Sequence, residues 1–141
     1  MKSRTRARSV ALQVLFEVDI TSHPTGVVLH ERLNDNAFDK DLVEFIKTIV
    51  MGVTNRKVEL DNFIAQHAPE WPLEQVAIID RNILRIALWE VAIFNKTPLK
   101  VSINEAIELA KSYGSESSPR FINGVLGSLA AKLEEIKKSL K

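Results

Sequence analysis

The clearest candidates for a functional role are four basic side chains at the start of the chain: Lys2, Arg4, Arg6 and Arg8. They give residues 1–16 a charge of +4, because that stretch contains no acid. Residues 17–70 carry −5 and residues 71–141 carry +2, so the net charge of +1 hides a basic end. Clustered cations of this kind can neutralise the phosphates of a nucleic acid. A solvated, frayed terminus explains the same charges equally well.

A second candidate for nucleic-acid binding is Arg120 with Phe121, directly after Ser118-Pro119. Serine followed by proline predicts an N-cap and a first helical turn, where free backbone N–H groups favour phosphate. An aromatic ring at such a place can stack on a base of single-stranded RNA. The alternative is a ring folded into the core, and periodicity alone slightly favours that alternative.

The sequence contains no motif that is typical of catalysis. There is no cysteine, which excludes disulfides, thiolate metal sites and a cysteine nucleophile. The histidines His23, His30 and His67 lack metal-ligand spacing, and no phosphate-binding or dinucleotide-binding glycine motif occurs. We therefore expect a protein that is not an enzyme and that needs no metal or cofactor.

The elements that would position these residues are helices, because apolar residues recur at three- and four-residue spacing throughout the chain. The pattern predicts one domain over residues 1–141, an all-α compact bundle of about six or seven helices. The stretch from Val76 to Phe94 is apolar on almost every side and belongs in the middle of the bundle. Three N-terminal signals are predicted, at Asp39, at a capping box from Ser102 to Glu105, and at Ser118.

Membrane insertion is not expected from the apolar pattern. The apolar stretch from Ile86 to Phe94 is interrupted by Glu90 and falls well below the roughly 20 residues that a membrane span needs. The basic start is not followed by the apolar block of a signal peptide. The sequence therefore predicts a cytoplasmic protein.

Phe16 is an unusual residue of the first predicted helix. On a helical wheel it lies about 170° from the centre of the apolar stripe, with Leu12 beside it. An exposed apolar pair indicates either a partner surface or a position covered by another part of the bundle. The residues alone favour cover.

Three ordered blocks of the sequence resemble the NusB family of transcription antitermination factors. They are Arg6 to Asp19 (RARSVALQVLFEVD), Ile79 to Val91 (IDRNILRIALWEV) and Pro98 to Leu129 (PLKVSINEAIELAKSYGSESSPRFINGVLGSL). The third block is the most specific, and the match extends along nearly the whole chain. The resemblance implies two small helical subdomains joined around a central apolar helix.

The resemblance also implies a function and partners. Family members bind the boxA element of nascent ribosomal RNA leader transcripts together with NusE, a small-subunit ribosomal protein. The resulting antitermination complex makes RNA polymerase read through terminators. Two departures are notable: the basic start is sparser than the arginine run of some relatives, and Ser117 stands where an acid can occur.

Carried over residue by residue, the resemblance implies two surfaces. The implied RNA-binding residues are Lys2, Arg4, Arg6, Arg8, Glu74, Arg120 and Phe121. The implied partner-facing residues are Leu12, Phe16, Asp80 and Glu116. Two alternatives are a ribosome-biogenesis factor that acts on the same RNA and a helical adaptor that binds no RNA. An exposed apolar pair also permits a homodimer.

Overall fold

A computed structural model describes residues 3–34, 38–68 and 72–140. In this part of the chain every regular element is helical, so the all-α prediction is confirmed. The helices are α1 (Ser3–Thr21), α2 (Thr25–Asn34), α3 (Lys40–Asn55), α4 (Lys57–Gln66), α5 (Ile78–Trp89), α6 (Leu99–Tyr113), α7 (Ser118–Ala131) and α8 (Leu133–Ser139). A 3₁₀ turn (Leu73–Gln75) precedes α5, and a π-helical segment (Glu90–Phe94) continues it. None of these helices combines the length and apolar character that a bilayer crossing needs.

The number of helices exceeds the prediction because the last predicted helix is divided in two. Lys132 has φ −115° and ψ 14°, which departs from helical geometry and separates α7 from α8. The apolar stripe continues across the break, since both Leu129 and Ile136 are buried. Periodicity reports the buried face and is insensitive to a single non-helical residue.

The described helices form two compact units, which agrees with the two subdomains that the resemblance implies. The first unit contains α1, α2 and α3 and ends at Asn55, and the second begins at Arg56 and contains the other helices. A single domain over residues 1–141 stays a prediction.

In the first unit, α1 packs against both α2 and α3. This arrangement buries more than one side of α1, and Leu12 is 0% exposed. Leu12 is therefore covered by another part of the bundle, as the residues alone favoured, and the partner-facing role that the resemblance implied for Leu12 was wrong. A helical wheel identifies the main apolar stripe of a helix but does not show how many neighbours the helix has.

In the second unit, α5 packs against α4, α6 and α7, and residues 82–92 are all buried. The prediction of a central buried helix is confirmed. Arg85 forms two hydrogen bonds with the Asp61 carboxylate, at 2.7 and 2.9 Å, and Thr97 Oγ1 donates to Glu90 Oε1 at 2.9 Å. The buried charges of this segment are thus paired or hydrogen-bonded, as burial requires.

One of the three predicted N-terminal signals holds. The backbone N–H of Leu42 donates to Asp39 Oδ1 at 2.9 Å, which confirms the N-cap before α3. The capping box was wrong because α6 begins earlier, at Leu99, and Ser102 Oγ instead donates to the carbonyl of Ala87 at 3.2 Å.

The predicted N-cap at Ser118 was displaced by one residue. Ser118 is the first residue of α7, and Ser117 takes the N-cap position without a side-chain hydrogen bond. Ser118 Oγ instead accepts from the backbone N–H of Ser115 at 2.9 Å and donates to Asp80 Oδ2 at 3.1 Å. The hydroxyl therefore joins the turn before α7 to α5.

Gly114 is expected to be essential for the turn between α6 and α7. A Cβ atom at this position would lie 2.5 Å from both Cβ and Oγ of Ser118 and 2.8 Å from the carbonyl oxygen of Ala110. Gly114→Ala should therefore lower the free energy of unfolding by about 1–3 kcal/mol, as overpacking usually does. Urea denaturation measures this loss.

The matched control is Gly127→Ala, inside α7, where an added Cβ would meet nothing within 4 Å. This substitution should raise the free energy of unfolding by about 0.5–1 kcal/mol, because glycine is a poor helix former. Equal stability of Gly114→Ala and the unmodified protein would show that the turn relaxes freely.

Candidate nucleic-acid interface

The basic start of α1 places two of its arginines in solvent. Arg4 and Arg6 are exposed, whereas Arg8 is only 3% exposed. Arg8 is therefore not accessible as the implied RNA-binding role requires, for the same reason as for Leu12: α1 has neighbours on more than one side. Lys2 lies outside the described residues.

Two aromatic rings lie under these arginines. The Cζ atom of Arg4 is 4.1 Å from the centroid of the Phe45 ring, and the Cζ atom of Arg8 is 5.4 Å from the same centroid. The Cζ atom of Arg6 is 4.5 Å from the centroid of Phe38. All three distances are within the range of a cation–π interaction. The sequence contained no signal for these contacts, because both rings come from a segment that is distant along the chain.

In the second unit, Arg120 is exposed in the first turn of α7. That turn contains no acidic residue, so the positive end of the helix dipole and the guanidinium act together on an anion. Phe121 is half-buried. Its ring is therefore anchored in part by the protein and is accessible in part, which is compatible with stacking on a base.

Glu74 is exposed within the 3₁₀ turn before α5. Arg81 fixes this turn, because its Nη2 donates to the carbonyl of Glu74 at 3.0 Å and its Nε to the carbonyl of Val76 at 2.7 Å. Sequence reasoning missed Arg81, since a surface arginine in the first turn of a helix has no pattern that reveals a backbone partner.

Asp80 lies in the first turn of α5 and is 7% exposed, so it is not displayed as the partner-facing prediction required. The side chain is drawn inward by Ser118, which donates to Oδ2. Its other oxygen, Oδ1, is buried and has no hydrogen-bond partner among the residues that the structure describes. Burial raises the pKa of the Asp80 carboxyl, and the hydrogen bond from Ser118 opposes part of that rise.

Hydrogen bonds thus connect the predicted site residues of the second unit. Arg81 ties the turn of Glu74 to the start of α5, and the Asp80–Ser118 bond ties the start of α5 to the start of α7. Arg120 follows Ser118 by two residues. The structure therefore brings the 3₁₀ turn, the start of α5 and the start of α7 to one end of the second unit.

The remaining partner-facing candidates differ in accessibility. Glu116 is exposed in the turn between α6 and α7, and Phe16 is half-buried in α1. Part of the Phe16 ring is therefore available to a partner, and part packs within the protein.

Comparison with known proteins decides the family. The model of the NusB family matches residues 5–131. A transcription antitermination protein NusB from Roseiflexus castenholzii is 45% identical over 137 residues, which are 96% of each chain. The chain belongs to the NusB family. The resemblance that three sequence blocks suggested is thereby confirmed.

Solved structures show the same fold. T. maritima NusB has a TM-score of 0.82 at 31% identity, over 96% of this chain and 90% of that one. A chain in the crystal structure of the antitermination factors NusB and NusE in complex with dsRNA has a TM-score of 0.82 at 26% identity, over 99% and 98%. The NusB relatives are named for antitermination and not for a reaction, which supports the prediction of a non-enzymatic protein.

The raised pKa of Asp80 predicts a pH dependence of stability. The folded protein holds the proton of Asp80 more tightly than the unfolded chain does. In the unfolded chain the carboxyl has its ordinary pKa of 3.8. Ionisation of this carboxyl therefore opposes folding. It does not affect the free energy of unfolding below the ordinary pKa, and it lowers that free energy as the pH rises above the ordinary pKa. Relative to Asp80→Asn, the unmodified protein should lose stability as the pH is raised from about 3 to 7.

Urea denaturation at a series of pH values measures this difference. Glu116→Gln removes a carboxyl that is exposed in the turn next to Ser118, and it is the control for loss of one acid. A difference between the Asp80→Asn variant and the unmodified protein that does not change with pH would show that Asp80 titrates alike in both states.

Proposed function

We propose that this protein is an RNA-binding transcription antitermination factor that binds the boxA element of ribosomal RNA leader transcripts together with NusE. The observation that carries the proposal is the acid-free start of α1, with Arg4 and Arg6 exposed. Its NusB relatives are named as antitermination proteins, and a similar chain occurs in a structure with NusE and dsRNA. Through this complex the protein would act on RNA polymerase in the cytoplasm.

The chemistry of RNA binding follows from the exposed groups. Arg4 and Arg6 neutralise phosphates, and Arg120 does the same at the start of α7, where backbone N–H groups add to its charge. Phe121 offers a partly accessible ring for stacking on an unpaired base. The Glu74 carboxylate can accept from a base amino group. These roles are the ones that the family resemblance implies, on residues that are accessible in this structure.

The proposed NusE-facing residues are Phe16 in the first unit and Glu116 in the second. Aromatic residues that are partly exposed are common anchors of protein interfaces. A homodimer also stays a prediction.

The first test is the salt dependence of binding to a single-stranded boxA RNA. The logarithm of affinity should fall with the logarithm of salt concentration by roughly 0.7 for each phosphate neutralised. The double variant Arg4→Ala/Arg6→Ala should flatten this slope by roughly 1.4. Fluorescence anisotropy at several salt concentrations measures both affinity and slope.

Lys132→Ala/Lys138→Ala is the matched control, because it removes two exposed charges near the end of the chain. It should leave the slope nearly unchanged. Unchanged affinity and slope in the arginine variant would remove α1 from the interface. Failure of the unmodified protein to bind boxA RNA at low salt would favour the adaptor that binds no RNA.

The second test concerns NusE and the residue Phe16. Phe16→Ala should weaken NusE binding by about 2 kcal/mol or more if the ring is an anchor of the interface. Calorimetric titration of NusE into the variant measures the loss, and thermal unfolding establishes that the variant is folded. Val27→Ala, at an exposed position of α2, is the control. Undiminished NusE binding by a folded Phe16→Ala variant would show that the ring serves packing alone.

A further inference from the structure

We propose that Phe38 and Phe45 are positioning residues for RNA binding, whose rings hold the guanidinium groups of α1 in place before RNA arrives. The inference rests on the proposed RNA-binding function, and it assigns a role to residues of a segment that sequence reasoning did not connect with RNA. Neither ring has to touch RNA for this role.

The geometry is a layer of arginines on a layer of rings. Arg4 and Arg8 are four residues apart and therefore lie on the same side of α1, where both are over Phe45. Arg6 is over Phe38, which precedes α3 by two residues. The three arginines of α1 thus lie over two rings from one segment.

Burial divides these arginines into two classes. Arg8 is 3% exposed and Phe45 is 6% exposed, so this pair belongs to the interior of the first unit. Arg4 and Arg6 are exposed although each lies over a ring. The accessible guanidinium groups of Arg4 and Arg6 are therefore the ones that can meet a phosphate.

Stacking and phosphate binding use different parts of a guanidinium. A ring attracts the cation through the electron density of its face, whereas phosphate oxygens accept from N–H groups that lie in the guanidinium plane. One contact therefore does not replace the other. A long side chain that is already held in place loses less conformational entropy when it binds a ligand.

An aromatic ring is also better suited than a carboxylate to position a guanidinium for phosphate binding. An ion pair would fix the guanidinium but would cancel its charge and compete with the phosphate. The first acid of the sequence is Glu17, so the basic start has no acid of its own. The rings give order to the arginines while leaving their charge available to RNA.

A double-mutant cycle between Arg6 and Phe38 tests the proposal, with binding of boxA RNA measured by fluorescence anisotropy. Phe38→Leu keeps an apolar side chain but removes the ring, and should weaken binding about two- to five-fold, the size of an exposed cation–π interaction. Phe38→Tyr keeps the ring and should retain affinity. In the Arg6→Ala background, Phe38→Leu should have no further effect, because the group that the ring positions is gone.

Two further variants separate positioning from other effects. Phe63→Leu makes the same change at a half-buried phenylalanine of α4 and should leave RNA affinity unchanged. Arg6→Lys keeps the charge but loses the planar group, so it should lower affinity while the salt slope stays the same. This variant leaves Phe38 intact and therefore does not depend on how well Phe38→Leu folds.

The outcomes distinguish this inference from the proposed function. If the unmodified protein does not bind boxA RNA, both fail. If it binds, but Phe38→Leu weakens binding equally with and without Arg6, the ring contacts RNA directly and the positioning role is overturned. Affinity of Arg6→Lys equal to that of the unmodified protein would overturn it as well.

Discussion

Because most residues of α5 are buried, the polar groups in and around it need partners inside the protein, and Oδ1 of Asp80 is an exception in having none among the described residues. Arg85 donates to the carboxylate of Asp61 in α4, and the carbonyl of Ala87 accepts from Ser102 of α6. Asp80 accepts from Ser118 of α7. Each neighbouring helix is thus tied to α5 by a polar contact as well as by apolar packing. The start of α7, with the candidate RNA-binding residues Arg120 and Phe121, depends on that framework.

In the first unit, the main feature is that closely spaced positive side chains of α1 are ordered. Exposed arginines are normally mobile. Here Phe38 and Phe45 lie under the arginines of α1. The helix itself is held by packing against α2 and α3. From Ser3 onwards the basic start is therefore part of a helix and not a frayed terminus.

Some features of this protein follow from the sequence because their causes are local. The spacing of apolar residues reports helices, and α5 with the π-helical segment after it lies within the apolar stretch from Val76 to Phe94. Asp39 caps α3 because a cap needs only the next few backbone N–H groups. The family was identifiable because three ordered blocks have its residues at fixed spacing. The resemblance to the family then implied the fold.

Other features were decided only by the tertiary structure, because they depend on residues that are far apart in the sequence. Leu12 and Arg8 are buried since α1 has two neighbours, and a helical wheel contains no neighbours. Asp80 turned inward because Ser118, 38 residues later, offers a hydroxyl. The rings beneath Arg4 and Arg6 come from the segment of α3. The sequence determined which helices form and which family they belong to, whereas helix packing decided which charged side chains remain accessible to RNA.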